Sequence, residues 1–372
     1  MSRAICLSRR TALPLVAALF LCAGAARAQE PAPTPSPTPE PEAPKIDVTG
    51  FVDVYYGYNF NGVDPAFRTF DVQHNAFSLS LAEVAFAKGV TPESRVGFRV
   101  DLDFGKTADL VAAYEPEDDG QEIYKHIQQA YVSLLTGKVT WDVGKFVTPI
   151  GAEVIESQDN WNYTRSILFG YAIPFYHVGL RGTVAASDKV SIAGYLLNGW
   201  NNGTELDGEK TFALNTTLKP SSTFTWYLNY MVGKEPTRNL IDVETRHLFD
   251  TTLSVGLGDR FTLMGNFDYG KEGDVEWWGL AAYAKLQARP SWAVVGRYEY
   301  IDDTEGGFML LGTKAQTITL TSDHLIAGGL KARLEYRTDF ADDAVFPDED
   351  GGFKDSQTSL TVGLVYTFGG KI

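Results

Sequence analysis

Cysteine is nearly absent. The 372 residues hold two, Cys6 and Cys22. Both fall in an N-terminal stretch that reads as an export signal, so the exported chain has no disulfide, no thiol chemistry and no cysteine metal site. Histidine is scarce too. His74, His126, His177, His247 and His324 show no metal-ligand spacing, and there is no glycine-rich phosphate loop. Positive charge is short: 32 Lys and Arg stand against 47 Asp and Glu, a net charge of −15. That excludes a nucleic-acid binder, which needs a basic face to meet phosphate. Beyond the extreme N-terminus no apolar run reaches about 18 residues, which excludes a bundle of membrane-spanning helices. What is plentiful is glycine (36) and aromatic residues (22 Phe, 18 Tyr, 7 Trp), the residues of turns and strands.

The N-terminus reads as an address. Arg3, Arg9 and Arg10 precede an apolar stretch over 11–25, and Ala26-Arg27-Ala28 gives a small-x-small cleavage site. Residues 1–28 are expected to be a secretory signal, the alternative being an uncleaved anchor. Residues 29–45 form a proline-rich linker, extended by its alternating prolines and expected in the periplasm. A plain disordered lead-in fits the same composition. Residues 46–372 carry everything else.

From residue 46 onward the chain alternates with period two. In 95–105, Val96, Phe98, Val100, Leu102 and Phe104 share one face, and Arg95, Arg99, Asp101 and Asp103 share the other. A strand sends successive side chains to opposite faces, so one side is apolar and the other charged. Residues 325–340 and 356–368 repeat the pattern. Sixteen such segments can be drawn, at roughly 46–60, 76–88, 94–104, 127–135, 139–146, 177–185, 190–200, 211–218, 224–232, 247–257, 261–269, 277–286, 292–301, 314–321, 325–340 and 356–368. In 76–88 the apolar phase switches near Glu83.

The connections alternate as well. Even-numbered segments end in short turns such as 136–138, 187–189, 258–260 and 322–324. Odd-numbered ones lead into longer, mostly acidic stretches such as 105–126, 147–176, 233–246 and 341–355. An all-β transmembrane antiparallel barrel of sixteen strands, with short periplasmic turns and long outer loops, predicts this alternation. A soluble sandwich does not, because its charged faces would have to fill a core.

Several strings carry a family resemblance: V-G-K-F-V-T-P-I-G-A-E-V (143–154), N-Y-T-R-S-I-L-F-G-Y-A-I-P-F-Y-H-V-G-L-R (162–181), V-G-F-R-V-D-L-D-F-G (96–105) and L-L-N-G-W-N-N (196–202). The chain resembles the OmpL-like β-barrel porins of Gram-negative outer membranes over most of 46–372. The resemblance implies an outer-membrane porin, with lipid, lipopolysaccharide and the barrel assembly machinery as partners. One feature departs from such barrels, which usually end on an aromatic residue: here Phe368 is followed by Gly369-Gly370-Lys371-Ile372.

The inward face taken from the alternation carries the cations Arg95, Arg99, Arg181, Lys285, Arg297, Lys331, Arg333 and Arg337. It also carries the anions Asp53, Asp101, Asp103, Asp142, Asp250, Asp268, Glu299, Glu335 and Asp339. This near-balanced set is expected to line a water-filled pore for small polar solutes and ions, with Arg99, Arg333 and Arg337 facing water and Val100, Leu334 and Tyr336 facing lipid. The alternative is a set of salt bridges bracing a filled barrel. The third outer loop, 147–176, carries Glu153, Glu156, Asp159 and Arg165 and is expected to fold inward as a constriction, by analogy with sixteen-stranded porins. The acidic loops predict a weak preference for cations. The acidic run Asp342, Asp343, Asp348, Glu349 and Asp350 reads as a solvated loop, with Ca²⁺ or divalent-bridged lipopolysaccharide as its alternative. No cofactor and no metal are expected. A non-conducting barrel with adhesive or structural loops is the alternative function, and a barrel hydrolase built around His177 the remote one. Trimers are common among such porins, but no stretch identifies a subunit face.

Overall fold

The structure is a computed structural model that describes residues 45–114, 121–205, 208–237, 242–305 and 307–372. The expected signal peptide and all but the last residue of the proline-rich linker lie outside the described residues.

Strands account for almost all of the regular structure. They are β1 (Asp47–Asn59), β2 (Ala76–Lys88), β3 (Val96–Phe104), β4 (Ile127–Thr136), β5 (Val139–Val147) and β6 (Tyr176–Ser187). Then come β7 (Val190–Leu197), β8 (Thr211–Ser221), β9 (Phe224–Pro236), β10 (Val243–Leu257), β11 (Phe261–Glu272) and β12 (Val275–Arg289). The chain ends with β13 (Trp292–Glu305), β14 (Lys314–Ala327), β15 (Leu330–Ala341), the two-residue β16 (Phe346–Pro347) and β17 (Phe353–Lys354), and β18 (Ser356–Lys371). A short helix, α1 (Lys106–Val111), follows β3.

Sixteen of these strands, β1–β15 and β18, pair with their chain neighbours in antiparallel register and close into a barrel as β18 meets β1. β16 and β17 pair only with each other, inside the last outer loop. Closure leaves no strand edge unpaired, the condition for a sheet surrounded by hydrocarbon. The closing ladder runs from Asp47↔Lys371 to Asn59↔Ser359. The four residues after Phe368 thus lengthen this seam, and Ile46 and Ile372 exchange both backbone hydrogen bonds, at 2.9 and 3.0 Å.

The faces follow the alternation. Val52, Val54, Leu320, Leu334, Tyr336, Leu360, Val362 and Leu364 are exposed on the outer surface. Asp53, Asp250, Thr319, Arg333, Glu335 and Thr361, one residue away in each strand, are buried inside. Aromatic side chains collect at the strand ends. Trp226 Nε1 donates to Thr251 Oγ1, and Trp292 Nε1 donates to Ser322 Oγ at 2.9 Å.

Three local features refine or correct the sequence expectation. The phase switch in the second strand is a bulge, where β2 slips one residue against Asp53 and Val54. Phe77 and Leu79 face outward before it, and Leu81, Glu83 and Ala85 are buried inward after it. An extra residue in one strand of a pair inverts every side chain beyond it. The turn expected at 322–324 lies instead at Gly328–Gly329. Both glycines have positive φ, 47° and 92°, the geometry of a tight hairpin turn that non-glycine residues resist. β14 therefore runs on to Ala327. The turn between β11 and β12 is also short, only Gly273-Asp274, although it lies at the long-loop end.

Candidate functional site

The connection from β5 to β6 enters the barrel. Ile150, Ile155, Tyr163, Ile167, Leu168 and Ala172 are all buried, joining Phe51 and Tyr55 of β1, Tyr283 of β12 and Ile301 of β13 in one apolar cluster. A loop buried this deeply must find partners for its backbone groups, and the barrel wall supplies them. Arg297 donates to Thr164 O at 2.7 Å and pairs with Glu153 at 2.7 Å and with Glu299 at 3.0 Å. Arg333 donates to the carbonyls of Ser157, Asn160 (2.8 Å) and Asn162 (3.4 Å). Arg337 donates to Arg165 O at 2.6 Å while pairing with Asp339.

The carboxylates answer from the same wall. Glu335 accepts from the backbone N–H of Tyr163 (2.6 Å) and of Thr164 (2.9 Å), and Glu299 accepts from Ile167 N–H at 2.8 Å. Charge-assisted hydrogen bonds of this kind are roughly twice as strong as neutral ones. On other walls, Tyr163 donates its hydroxyl to Asp53 at 2.8 Å, Asn229 donates to Pro149 O, Ala152 N–H donates to Asn266, and Trp277 donates to Ala172 O. Gln128 donates to Glu156 at 2.7 Å. Two glycines make room for loop side chains. A Cβ at Gly363 would stand 2.4 Å from the Tyr163 ring, and one at Gly279 would stand 2.6 Å from Leu168.

The loop also binds itself. Glu153 accepts from both the N–H and the hydroxyl of Ser166, at 2.7 Å each. Arg165 donates to the carbonyls of Val154, Tyr163 and Ile155, and burial holds its guanidinium below the usual arginine range. Above the loop, Arg68 bridges Asp71 and Asp339, at 2.9 Å each, and burial pushes the Asp71 carboxyl up against the pull of Arg68.

A closed sixteen-strand barrel, apolar outside, with its third long loop pinned within it, is the geometry to set beside known proteins. The family model described as "Putative beta-barrel porin-2, OmpL-like" matches residues 45–368. The chain belongs to this porin family. Among curated proteins no sequence matches it. Many solved structures share the fold, and three of them serve for comparison. The outer membrane channel DcaP of Acinetobacter baumannii is 13% identical, with a TM-score of 0.59, over 88% of this chain and 98% of that one. OmpT of Vibrio cholerae, in trimer form, is 11% identical, with a TM-score of 0.59, over 87% and 99%. The anion-selective porin from Comamonas acidovorans is 12% identical, with a TM-score of 0.59, over 87% and 99%. This chain is thus an outer-membrane porin in family and fold.

Within the porin, the inward residues separate by burial. Arg297, Arg333 and Arg337 are 2%, 1% and 1% exposed. The expectation that Arg333 and Arg337 face water is corrected: both face inward, but the loop covers them. Glu299, Glu335, Asp339, Asp53, Asp101, Asp103, Asp250 and Asp268 are equally covered. Arg99 and Arg181 keep 39% and 21% of their side chains exposed while pairing with Asp101 and Asp142, each at 2.8 Å. Lys285 and Lys331 are half-buried and Arg95 is exposed. Of the four loop residues singled out in the sequence, Glu153 and Arg165 are buried structural groups, Glu156 is half-buried, and Asp159 alone is exposed. The near-balance of lumen charge therefore fails once burial is counted. Along the wall the accessible charges are mostly cations, the half-buried Asp323 being tied to Arg333 at 3.2 Å.

Some of these groups were beyond sequence reasoning. Arg68 and Asp71 belong to the first outer loop, and nothing in their spacing marks them as lumen partners of Asp339. Asn229 and Asn266 had only their inward phase to signal them. His177 sits between Thr148 Oγ1 (3.1 Å) and Gly199 O (3.0 Å), tying the third loop to the fourth.

Proposed function

We propose that this porin forms a water-filled diffusion channel for small polar solutes, with 148–175 fixing the width of the path. The observation that carries this reading is the loop itself, held inside a closed barrel by ion pairs and backbone hydrogen bonds to β13 and β15. Sixteen strands enclose more space than wall side chains fill, and a pinned loop divides that space in a fixed way. On their own the acidic outer loops favour cations at the mouth. A solute then meets a lumen wall whose accessible charges are cations.

The N-terminal linker belongs to the periplasm in this reading, and lipid, lipopolysaccharide and the assembly machinery are the partners. A homotrimer fits, on the precedent of the Vibrio cholerae relative. The proposal includes no catalytic role for His177, whose hydroxyl neighbour is the wall-facing Thr148. The deep burial of the loop favours a second reading, a barrel that stays shut until the loop moves.

Single-channel recording of the purified full chain in planar bilayers tests both. Discrete, long-lived conductance steps support the diffusion channel. A silent wild type, beside a conducting variant lacking the loop tip 156–162, establishes the shut barrel instead.

A further inference from the structure

At the tip of the third loop lies a pair of lysines whose charge is not balanced. Lys285 on β12 and Lys331 on β15 both point inward and both are half-buried. Lys331 Nζ donates to Gln158 O at 3.3 Å. Lys285 Nζ stands 5.6 Å from the centre of the Trp161 ring, which meets Tyr283 edge-on at 6.3 Å. The charged groups within electrostatic reach of Lys285 are Lys331, Arg333 and Asp323. Asp323 is already bound to Arg333 at 3.2 Å, and the other guanidinium N–H groups of Arg333 point at loop carbonyls. That pair neutralises itself. Neither lysine makes an ion pair among the described residues, and the exposed Asp159, next to Gln158, pairs with neither. Two ammonium groups thus stand within electrostatic reach of one another without a counter-ion of their own.

The opposite wall points the same way. β3–β6 lie half a ring from β12–β15. There the accessible groups are the guanidinium of Arg99 and that of Arg181, while their partners Asp101 and Asp142 are 0% and 7% exposed. A partly desolvated cluster of one sign raises the local potential and concentrates ions of the other sign. Removing charge from water is costly unless an opposite charge compensates it.

We propose that Lys285 and Lys331, under the Trp161 ring, form a subsite for small anions bearing a carboxylate or phosphate group, and that this subsite makes the pore prefer anions. The anion's oxygens take up the unused N–H donors of the two ammonium groups. The apolar ceiling of Trp161 and Tyr283 limits the competing water. The inference rests on the diffusion-channel reading and supplies its substrate class. It replaces the cation preference expected from the outer loops: those charges stand on an exposed, screened surface, and the lysines on a half-buried one.

The test uses the full chain and three variants: Lys285→Gln, Lys331→Gln, and the two together. Reversal potentials are measured in a KCl gradient at low salt. The wild type is expected to pass chloride more readily than potassium, and the double variant to lose or invert that preference. Lys285→Arg, which keeps the charge, retains it. Heat-modifiable migration on gels checks that each variant is a folded barrel. A second readout needs no conduction: sodium succinate or inorganic phosphate raises the unfolding temperature of the detergent-solubilised wild type, and does so less in the double variant. A cation-selective wild type overturns the inference, as does an anion preference or an anion-dependent unfolding shift that the folded double variant keeps in full. A silent bilayer together with a lysine-dependent unfolding shift leaves the subsite standing and overturns the channel reading alone.

Discussion

Arg297 shows how much of this barrel's interior depends on single side chains. Its guanidinium meets Glu153 of the loop, Glu299 of its own strand and the carbonyl of Thr164. Truncation to alanine would leave two buried carboxylates and one carbonyl without that donor. Breaking a buried pair in this way costs about 3–5 kcal/mol, so Arg297→Ala is expected to lower the urea midpoint of unfolding in detergent by a corresponding amount. An unchanged midpoint would mean that the loop is held elsewhere. By the same logic Arg333→Ala is expected to destabilise the barrel, since it uncaps three loop carbonyls. One residue along, Leu334 is 49% exposed on the outer face. Leu334→Arg puts a charge toward lipid, at a cost of about 2–4 kcal/mol if the position lies near the bilayer midplane. Asp250 and Asp268 stand directly opposite one another on β10 and β11, both 0% exposed. Two carboxylates placed so repel one another whenever both are ionised, and Asp268→Asn is expected to leave the unfolding midpoint equal or higher.

Among the elements, strands were largely legible from their own residues, while the inward course of the loop was expected only by analogy with sixteen-stranded porins. Alternation reads a strand directly because the period of two is a local property of the backbone. It slipped where the backbone itself slips, at the β2 bulge beside Asp53, and where two glycines moved a turn from 322–324 to 328–329. The fate of 147–176 is not local. Its acidic and aromatic residues fit a surface loop equally well, and only the wall partners at Arg297, Arg333, Glu335 and Arg337, more than a hundred residues away, draw it inward. The alternation puts a charge on the inner face of a strand but carries no information on whether the loop covers it, which is why Arg333 and Arg337 were expected to face water and do not. Gly363 is the part of β18 that admits the loop, because the Tyr163 ring occupies the space a side chain would take. Gly363→Leu is therefore expected to expel Tyr163 while leaving the β15–β18 ladder intact. Larger conductance steps and faster proteolysis within 156–165, in a barrel that still shows heat-modifiable migration, would report that displacement. Wild-type conductance and wild-type resistance to protease would show that the wall accommodates the added side chain without moving the loop.

At the scale of the whole molecule, the barrel has two unlike ends. One carries the start of β1, the end of β18 and turns such as Gly137-Lys138, Asp188-Lys189 and Gly328-Gly329. The other carries the loop that enters the barrel, α1, and the β16–β17 ladder. Short turns belong to the periplasmic side of outer-membrane barrels and long loops to the cell surface. This orientation puts the acidic mouth outside and the Lys285–Lys331 pair on the periplasmic half, because β12 descends toward the short-turn end and β15 rises from it. Both cysteines lie within residues 1–28, so once that expected signal segment is removed a single introduced thiol is the only one present, which offers a clean test. Asp188 and Asp350 are both exposed, at opposite ends of the barrel. In intact cells a membrane-impermeant maleimide should label Asp350→Cys and miss Asp188→Cys, and both should react once the outer membrane is permeabilised. Labelling of position 188 alone in intact cells would invert the barrel, turning the acidic loops toward the periplasm and the lysine pair toward the medium. Solutes from outside would then meet the lysine pair before the loop, and the outer charges would no longer act on their entry.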